Sequence, residues 1–447
     1  ELSGFATVAE VLQTTPYNSF GSFKETSGYA NGQAVVNEIS LRGLGSARTL
    51  VLIDGRRIAS TGGSGGAAQN LNQIPTAIVE RVEILRDGAS AIYGSDAIAG
   101  VVNIITRKDY DGMDINITSG KPDAGGADYT RVNMTGGISN SKGNIYWTLQ
   151  HYDRRPQYYR DIEYAAHAYN YDYFSSFGYP GSAYIIGSNV TAGYIVDPRC
   201  PEKPVGGAGD DGTNSNPTFP NSYRWGGSEG GNAAGRCGYD FAQDIISIPR
   251  AKRNAFLMKT SYDLSPDVTM NAVLMLSQND SDSRFAGTPI TSPYPTMDAD
   301  NPNHPLKAYG IDCVVNNCGT AILLARSVPN GTRDNTVTTD IQDFRLGFEG
   351  VLDAMGGLNW EFNVQVINND TDNMTQNLVN KSLLQASLDA GTLDLWSVNG
   401  TPLATVQSQM QQFNHTKMYQ ADLKGQTVDF IMDFDIGELA GGAVGMV

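Results

Sequence analysis

Apolar and polar residues alternate one for one over residues 358–366, LNWEFNVQV. Leu358, Trp360, Phe362, Val364 and Val366 fall on one face, and Asn359, Glu361, Asn363 and Gln365 on the other. A period of two predicts a β-strand. The same period recurs at Val268, Met270, Ala272, Leu274 and Leu276, at Gln342, Phe344, Leu346 and Phe348, at Tyr419, Ala421 and Leu423, and at Ile145, Trp147 and Leu149. Residues 253–262 alternate less cleanly and are read as a strand from their place in the series. About eight such strands are expected between 112 and 436, with AGGAVGMV starting a ninth.

Their connections alternate in length. NSKG (140–143), SPDV (265–268) and DAMGG (353–357) are tight turns, whereas 154–250, 280–337 and 372–414 are long, polar and rich in Tyr, Asn, Pro and Gly. Short turns at one end and long loops at the other are the pattern of an outer-membrane barrel, with the long loops extracellular. A soluble sandwich has no reason to segregate its loops this way. Before residue 112 the texture differs: ISLRGL, TLVLIDG, AIVERVEIL and GVVNIITR are short apolar runs bounded by Gly or Pro, as in a small mixed α/β unit, with a helical turn expected at Ser90–Tyr93. Two domains are therefore predicted, 1–111 and 112–447.

Composition sharpens this picture. Fifty glycines and 22 tyrosines with only 17% charged residues suit an all-β chain with many turns. No apolar run is long enough for a transmembrane helix, which leaves β-barrel membrane proteins open. A net charge of −16 argues against nucleic acid as a partner. Four cysteines pair by position, Cys200 with Cys237 and Cys313 with Cys318; neither pair has zinc spacing, so two loop disulfides in an oxidising compartment are expected. Asp210, Asp211, Asp298 and Asp300 form acidic loop patches without EF-hand spacing, and solvated charge is the simpler reading. His151, His167, His304 and His415 are dispersed, and no HExxH or GxxxxGK[ST] motif occurs, so neither an enzyme, a metal nor a cofactor is expected.

Two stretches, ISLRGLGSARTLVLIDGRRI (39–58) and IPTAIVERVEILRDGASAIYGSDAIAGVVNIITR (74–107), resemble the plug domain of TonB-dependent outer-membrane receptors. Arg86-Asp87-Gly88 stands where Arg-Gly-Pro is common, which looks like a proteobacterial branch, and no surface lipoprotein partner is expected. The resemblance implies a membrane all-β fold: a 22-stranded transmembrane β-barrel with an N-terminal mixed α/β plug in its lumen. It also implies active import of a scarce or bulky nutrient across the bacterial outer membrane, driven by TonB and the inner-membrane ExbB/ExbD complex. Eight strands enclose too little room for a plug, and 22 need roughly 900 residues, so the chain is expected to be the N-terminal half of a larger receptor whose TonB-contacting segment precedes Glu1.

The resemblance also implies that Arg42 and Arg86 pair with barrel-wall glutamates in strands beyond those present. It turns the loop from Arg57 to Gln69 outward, making Arg57, Thr61, Ser64 and Gln69 candidate substrate contacts, against the alternative of a plain connector. Tyr158, Tyr159, Tyr164, Tyr169, Tyr171 and Tyr173 crowd one external segment, either to stack on a ligand or to pack the loop. Siderophore, cofactor, carbohydrate and peptide substrates all stay open. A signalling receptor needs a further domain before the plug, and a passive porin or adhesin needs no plug.

Overall fold

The computed structural model describes residues 7–16, 18, 36–58, 69–107, 110–123, 125–167, 175–201, 219, 221–225, 235–352, 357–439 and 442–446. The chain folds into a small mixed sheet, a long curved antiparallel wall, and a packed crown made from the wall's long connections.

The small sheet holds β1 (Thr49–Ile53), β2 (Arg56–Arg57), β3 (Val79–Leu85) and β4 (Gly100–Thr106) in the order β2-β1-β4-β3. Strands β1 and β4 run parallel and are buried nearly throughout, which is why both read as unbroken aliphatic runs. β1 turns into β2 through Asp54 (φ 50°) and Gly55 (φ 76°), the left-handed pair that a two-residue hairpin requires. Gly100 has φ 130°, and a Cβ there would stand 2.4 Å from the Leu85 carbonyl oxygen, so only glycine lets β4 start beside β3. Helix α1 (Val8–Gln13) buries Val8, Ala9 and Leu12, its first turn capped by Thr7, and α2 (Ser90–Tyr93) forms the short helical turn before β4.

Nine strands build the wall: β5 (Gly112–Gly120), β6 (Tyr129–Asn140), β7 (Gly143–Arg154), β8 (Arg250–Ser265), β9 (Val268–Phe285), β10 (Arg333–Leu352), β11 (Leu358–Val379), β12 (Asn414–Leu439) and β13 (Gly442–Met446). Each pairs with its sequence neighbour in one antiparallel meander. Its burial is inverted relative to a soluble protein. On the convex face Ile115 is 61%, Ile117 70%, Val428 66% and Phe430 57% exposed, while on the concave face Thr148 is fully buried and Asp343 and Asn369 are 1% exposed. Register aligns the outward side chains into apolar rows, one of them Trp147, Met258, Leu274, Phe344 and Val366. Apolar outside and polar inside is the arrangement of a membrane β-barrel wall. No helix among the described residues is long and apolar enough to cross a membrane.

The strands outrun the sequence reading. β9 continues to Phe285, β10 begins at Arg333 and β11 continues to Val379, all inside segments expected to be loop. Above the apolar rows both faces are polar, so the alternation that marks a strand disappears from the sequence while the hydrogen-bonded ladder goes on.

The long connections are not plain polar loops either. Ser182–Ile186 pairs with Gly193–Val196 and with Thr320–Leu324, so two connections share one sheet. The third adds α3 (Lys381–Asp389) and α4 (Leu403–Gln411), which bury Leu384 and Leu388, Val406 and Met410 at helical spacing. These close over Ile185, Leu306, Leu323 and Trp396 as one apolar cluster drawn from all three connections. Both expected disulfides form here, Cys200–Cys237 and Cys313–Cys318.

Candidate functional site: the docked plug and its wall

The small sheet lies against the concave face of the wall. Val51, Ile53, Val102 and Ile104 share an apolar cluster with Tyr146, Leu257, Met275 and Ile341 of the wall. Around this contact runs a set of polar bonds focused on the β1–β2 hairpin. Arg56 forms ion pairs of 2.6 Å with both Glu361 on β11 and Asp429 on β12. Lys259 on β8 donates to Asp54 Oδ2 and to Thr106 Oγ1, each at 2.9 Å. Arg345 on β10 donates to the Ile53 carbonyl at 2.9 Å while held by Asp343 at 2.5 Å. Gln365 Nε2 reaches the Arg57 carbonyl at 3.3 Å and Asp343 at 3.0 Å, and Tyr146 donates to the Ala77 carbonyl at 3.4 Å.

Asp54 sits at the centre of these bonds. Burial pushes its carboxyl up, but Lys259 and two bonds from Thr106, from N at 2.9 Å and Oγ1 at 2.6 Å, outweigh that, and it titrates below its ordinary 3.8. The carboxylate is therefore ionised across the physiological range and fixes the hairpin turn to both β4 and the wall.

The residues singled out in sequence fall elsewhere. Arg42 donates to the carbonyls of Ile98 (2.7 Å) and Ala99 (3.2 Å) within the small domain. Its backbone is left-handed there, with φ 56°. Arg86 is exposed just beyond β3. Arg57 pairs with Asp96 at 2.5 Å and donates to the Tyr93 carbonyl, so it braces α2. Gln69 is buried beside Asn70, whose side chain accepts from the backbone of Asn37 and Asn72. Thr61, Ser64, Tyr169, Tyr171, Tyr173, Asp210 and Asp211 lie outside the described residues. Tyr158 carries the Arg160 guanidinium 4.2 Å from its ring centre, Tyr159 opens the turn Tyr159–Asp161, and Tyr164 is 73% exposed. His304 approaches Cys313 Sγ at 3.7 Å, but both sulfurs of that grouping are spent in the disulfide and offer a metal no thiolate.

Sequence reasoning passed over Asp54, Arg56, Lys259, Arg345, Glu361 and Asp429. A signal existed. Each wall charge stands alone between outward side chains, as in Phe344-Arg345-Leu346 and Trp360-Glu361-Phe362, and strand alternation turns it inward.

A plug docked on the polar face of an inside-out antiparallel wall defines a plugged outer-membrane barrel. Residues 1–101 match the family model described as TonB-dependent Receptor Plug Domain, so this part of the chain is similar to the plug of those receptors. Among solved structures it is similar to a mutant of the ferric enterobactin receptor PfeA from Pseudomonas aeruginosa, at 15% identity and a TM-score of 0.43, covering 83% of this chain and 42% of that one. The siderophore receptor PirA from Acinetobacter baumannii matches at 16% identity and 0.42, covering 83% and 42%. The ferric citrate transporter FecA in its unliganded form matches at 12% and 0.40, covering 83% and 46%. The chain spans less than half the length of these three proteins.

Proposed function

We propose that this chain is the plug and the first wall strands of an energy-driven importer that takes a scarce or bulky nutrient across the outer membrane. The observation that carries the reading is the plug's fastening. The hairpin is held to the wall by ion pairs and hydrogen bonds, including the Arg56 pairs whose side chains keep roughly a quarter or more of their surface exposed. Partly solvated polar bonds are individually worth little, about 0–1 kcal/mol each, so they exchange with water readily when a force or ligand biases the plug. A passive pore has no need of such a body in its lumen.

On this reading the barrel closes with about 22 strands, and TonB with the ExbB/ExbD complex supplies the energy. Outer-membrane lipid covers the apolar rows. Arg86 faces wall strands beyond those present. Substrate approaches past Arg57, Gln69, Tyr158 and Tyr159, with Thr61, Ser64, Tyr171 and Tyr173 as further contacts. The neighbours' siderophore and ferric citrate titles describe those proteins; for this chain the nutrient is argued from the wall itself below.

Uptake in the native cell with and without a proton uncoupler, and with and without TonB, tests the reading. Accumulation that stops in both depleted conditions is expected. Uptake that continues unchanged in both makes the protein a passive pore.

A further inference from the structure

Strands β9, β10 and β11 sort their side chains sharply by charge beyond the plug contact. On the outward side stand Asp280, Asp282, Asp334, Asp340, Asp370 and Asp372, interleaved with threonines and paired in places with Arg250 and Arg284. Opposite them, on the inward side of the same stretches, stand Asn279, Ser281, Ser283, Asn335, Thr339 and Thr371. Acidity is thus displayed outward, and the inward wall there carries hydroxyls and amides around Val337, with no carboxylate, while Arg333 at its end lies over the Phe285 ring and donates to the Ala286 carbonyl. It begins about 20 Å along the strand from the row that grips the hairpin, toward the long connections.

This wall is also unfinished. Asn279 is 6%, Ser283 7% and Asn335 5% exposed. Yet Asn279 Oδ1 and Nδ2, Ser283 Oγ, Asn335 Nδ2 and Thr371 Oγ1 are buried without a hydrogen-bond partner among the described residues. Leaving such groups unsatisfied costs about 1–3 kcal/mol each. A run of them on three adjacent strands is a surface built to be wetted or ligated when whatever covers it moves. The inward arginines of neighbouring strands are engaged elsewhere: Arg154 on the Pro249 carbonyl, Arg131 toward Thr76 of the plug, Arg253 over the Tyr152 ring.

We propose that the inward faces of β9, β10 and β11 are the contact surface along which an uncharged, hydroxyl-rich solute of the carbohydrate class passes when the plug shifts. The inference rests on the import reading above and adds the chemical class of the cargo. A sugar hydroxyl both donates and accepts, so it matches a mixed amide and hydroxyl wall. A multiply anionic metal chelate or a zwitterionic peptide would bring charges that this wall leaves uncompensated.

The described cysteines are all in disulfides, so an introduced thiol is distinguishable from them. In the full receptor in its own membrane, Ser283→Cys and Ser281→Cys are each treated with three methanethiosulfonates: a glucosyl reagent, an anionic sulfonatoethyl reagent and a cationic trimethylammonium reagent. The unsubstituted receptor gives the background, and Asp282→Cys on the outward side is the control that reports folding and reagent access. The expected result is labelling of both inward thiols at least tenfold faster in energised than in uncoupled cells, with the glucosyl reagent at least tenfold faster than the anionic one. Equal or faster labelling by the anionic reagent overturns the proposal, as does an inward thiol that stays unlabelled in energised cells while Asp282→Cys reacts. A neutral preference that survives without any dependence on energy sinks the import reading and leaves the chemistry of the wall standing.

Discussion

The plug and the crown are packed bodies at different places on the same wall, and they are held by different forces. The crown closes on an apolar cluster drawn from three connections and is fastened by two disulfides. The plug shares an apolar contact with the wall but is fastened around it by charged and amide bonds at its hairpin. A covalent, dry fastening holds one shape. In the importer proposed above, a polar fastening suits a part that lets go and returns, because each broken bond is replaced by one to water.

Removing the larger disulfide should have the largest effect. Replacing Cys200 and Cys237 by Ser frees a 37-residue separation and should cost the crown about 4 kcal/mol, against about 2 for the 5-residue Cys313–Cys318 link. Limited proteolysis of whole receptor should then cut the crown while the plug stays protected. Loss of protection in both bodies at once would erase the distinction between them.

Acid should separate them next. Burial pushes His304 down to about 4, so the unfolded chain binds more protons between its ordinary 6.5 and that value. Crown stability should therefore decline as pH falls through that window, by about 3 kcal/mol in all. Asp54 is also lowered, but from 3.8, so its contribution is complete above that value and is lost only as pH falls further. Hydrogen exchange from pH 7 to 4 should show the crown loosening while the β1–β2 hairpin remains protected. Loosening of the hairpin already at pH 5 would contradict the Asp54 assignment, and a crown unchanged down to pH 4 the His304 one.

Smaller effects sharpen the plug side. Arg56→Ala breaks two partly exposed pairs and should raise exchange of residues 49–57 by about 30-fold, near 2 kcal/mol. Gln365→Ala removes its bonds to the Arg57 carbonyl and Asp343 and should cost about 1 kcal/mol. If Gln365→Ala proved the more damaging, the fastening would be centred on β10 and β11 rather than on the ion pairs.

Much of this was legible in the chain before folding. The plug showed itself in residues 39–58 and 74–107, and the alternation at 358–366 marked both a strand and its lipid side. SQNDSDSR at 277–284 hid a strand because it is polar on both faces, and hydrophobic period is the only strand signal a sequence displays strongly. The crown hid for another reason. Leu384 and Leu388, like Val406 and Met410, are helical pairs whose burial depends on residues more than 50 positions away, such as Leu306 and Leu323. Arg42 and Arg56 look alike in sequence, and only the hairpin geometry sends one to its own sheet and the other to the wall.

Several of the wall's hydrogen bonds to the plug also share a line. Tyr146, Lys259, Arg345 and Gln365 are successive partners in one cross-strand row that passes through Val273. A strand displaced by one residue would carry its member of that row to the lipid side, and a displacement of two would move it about 7 Å out of line. The plug therefore serves as a gauge for the barrel that contains it: only a sheet assembled in the correct register offers it all its bonds.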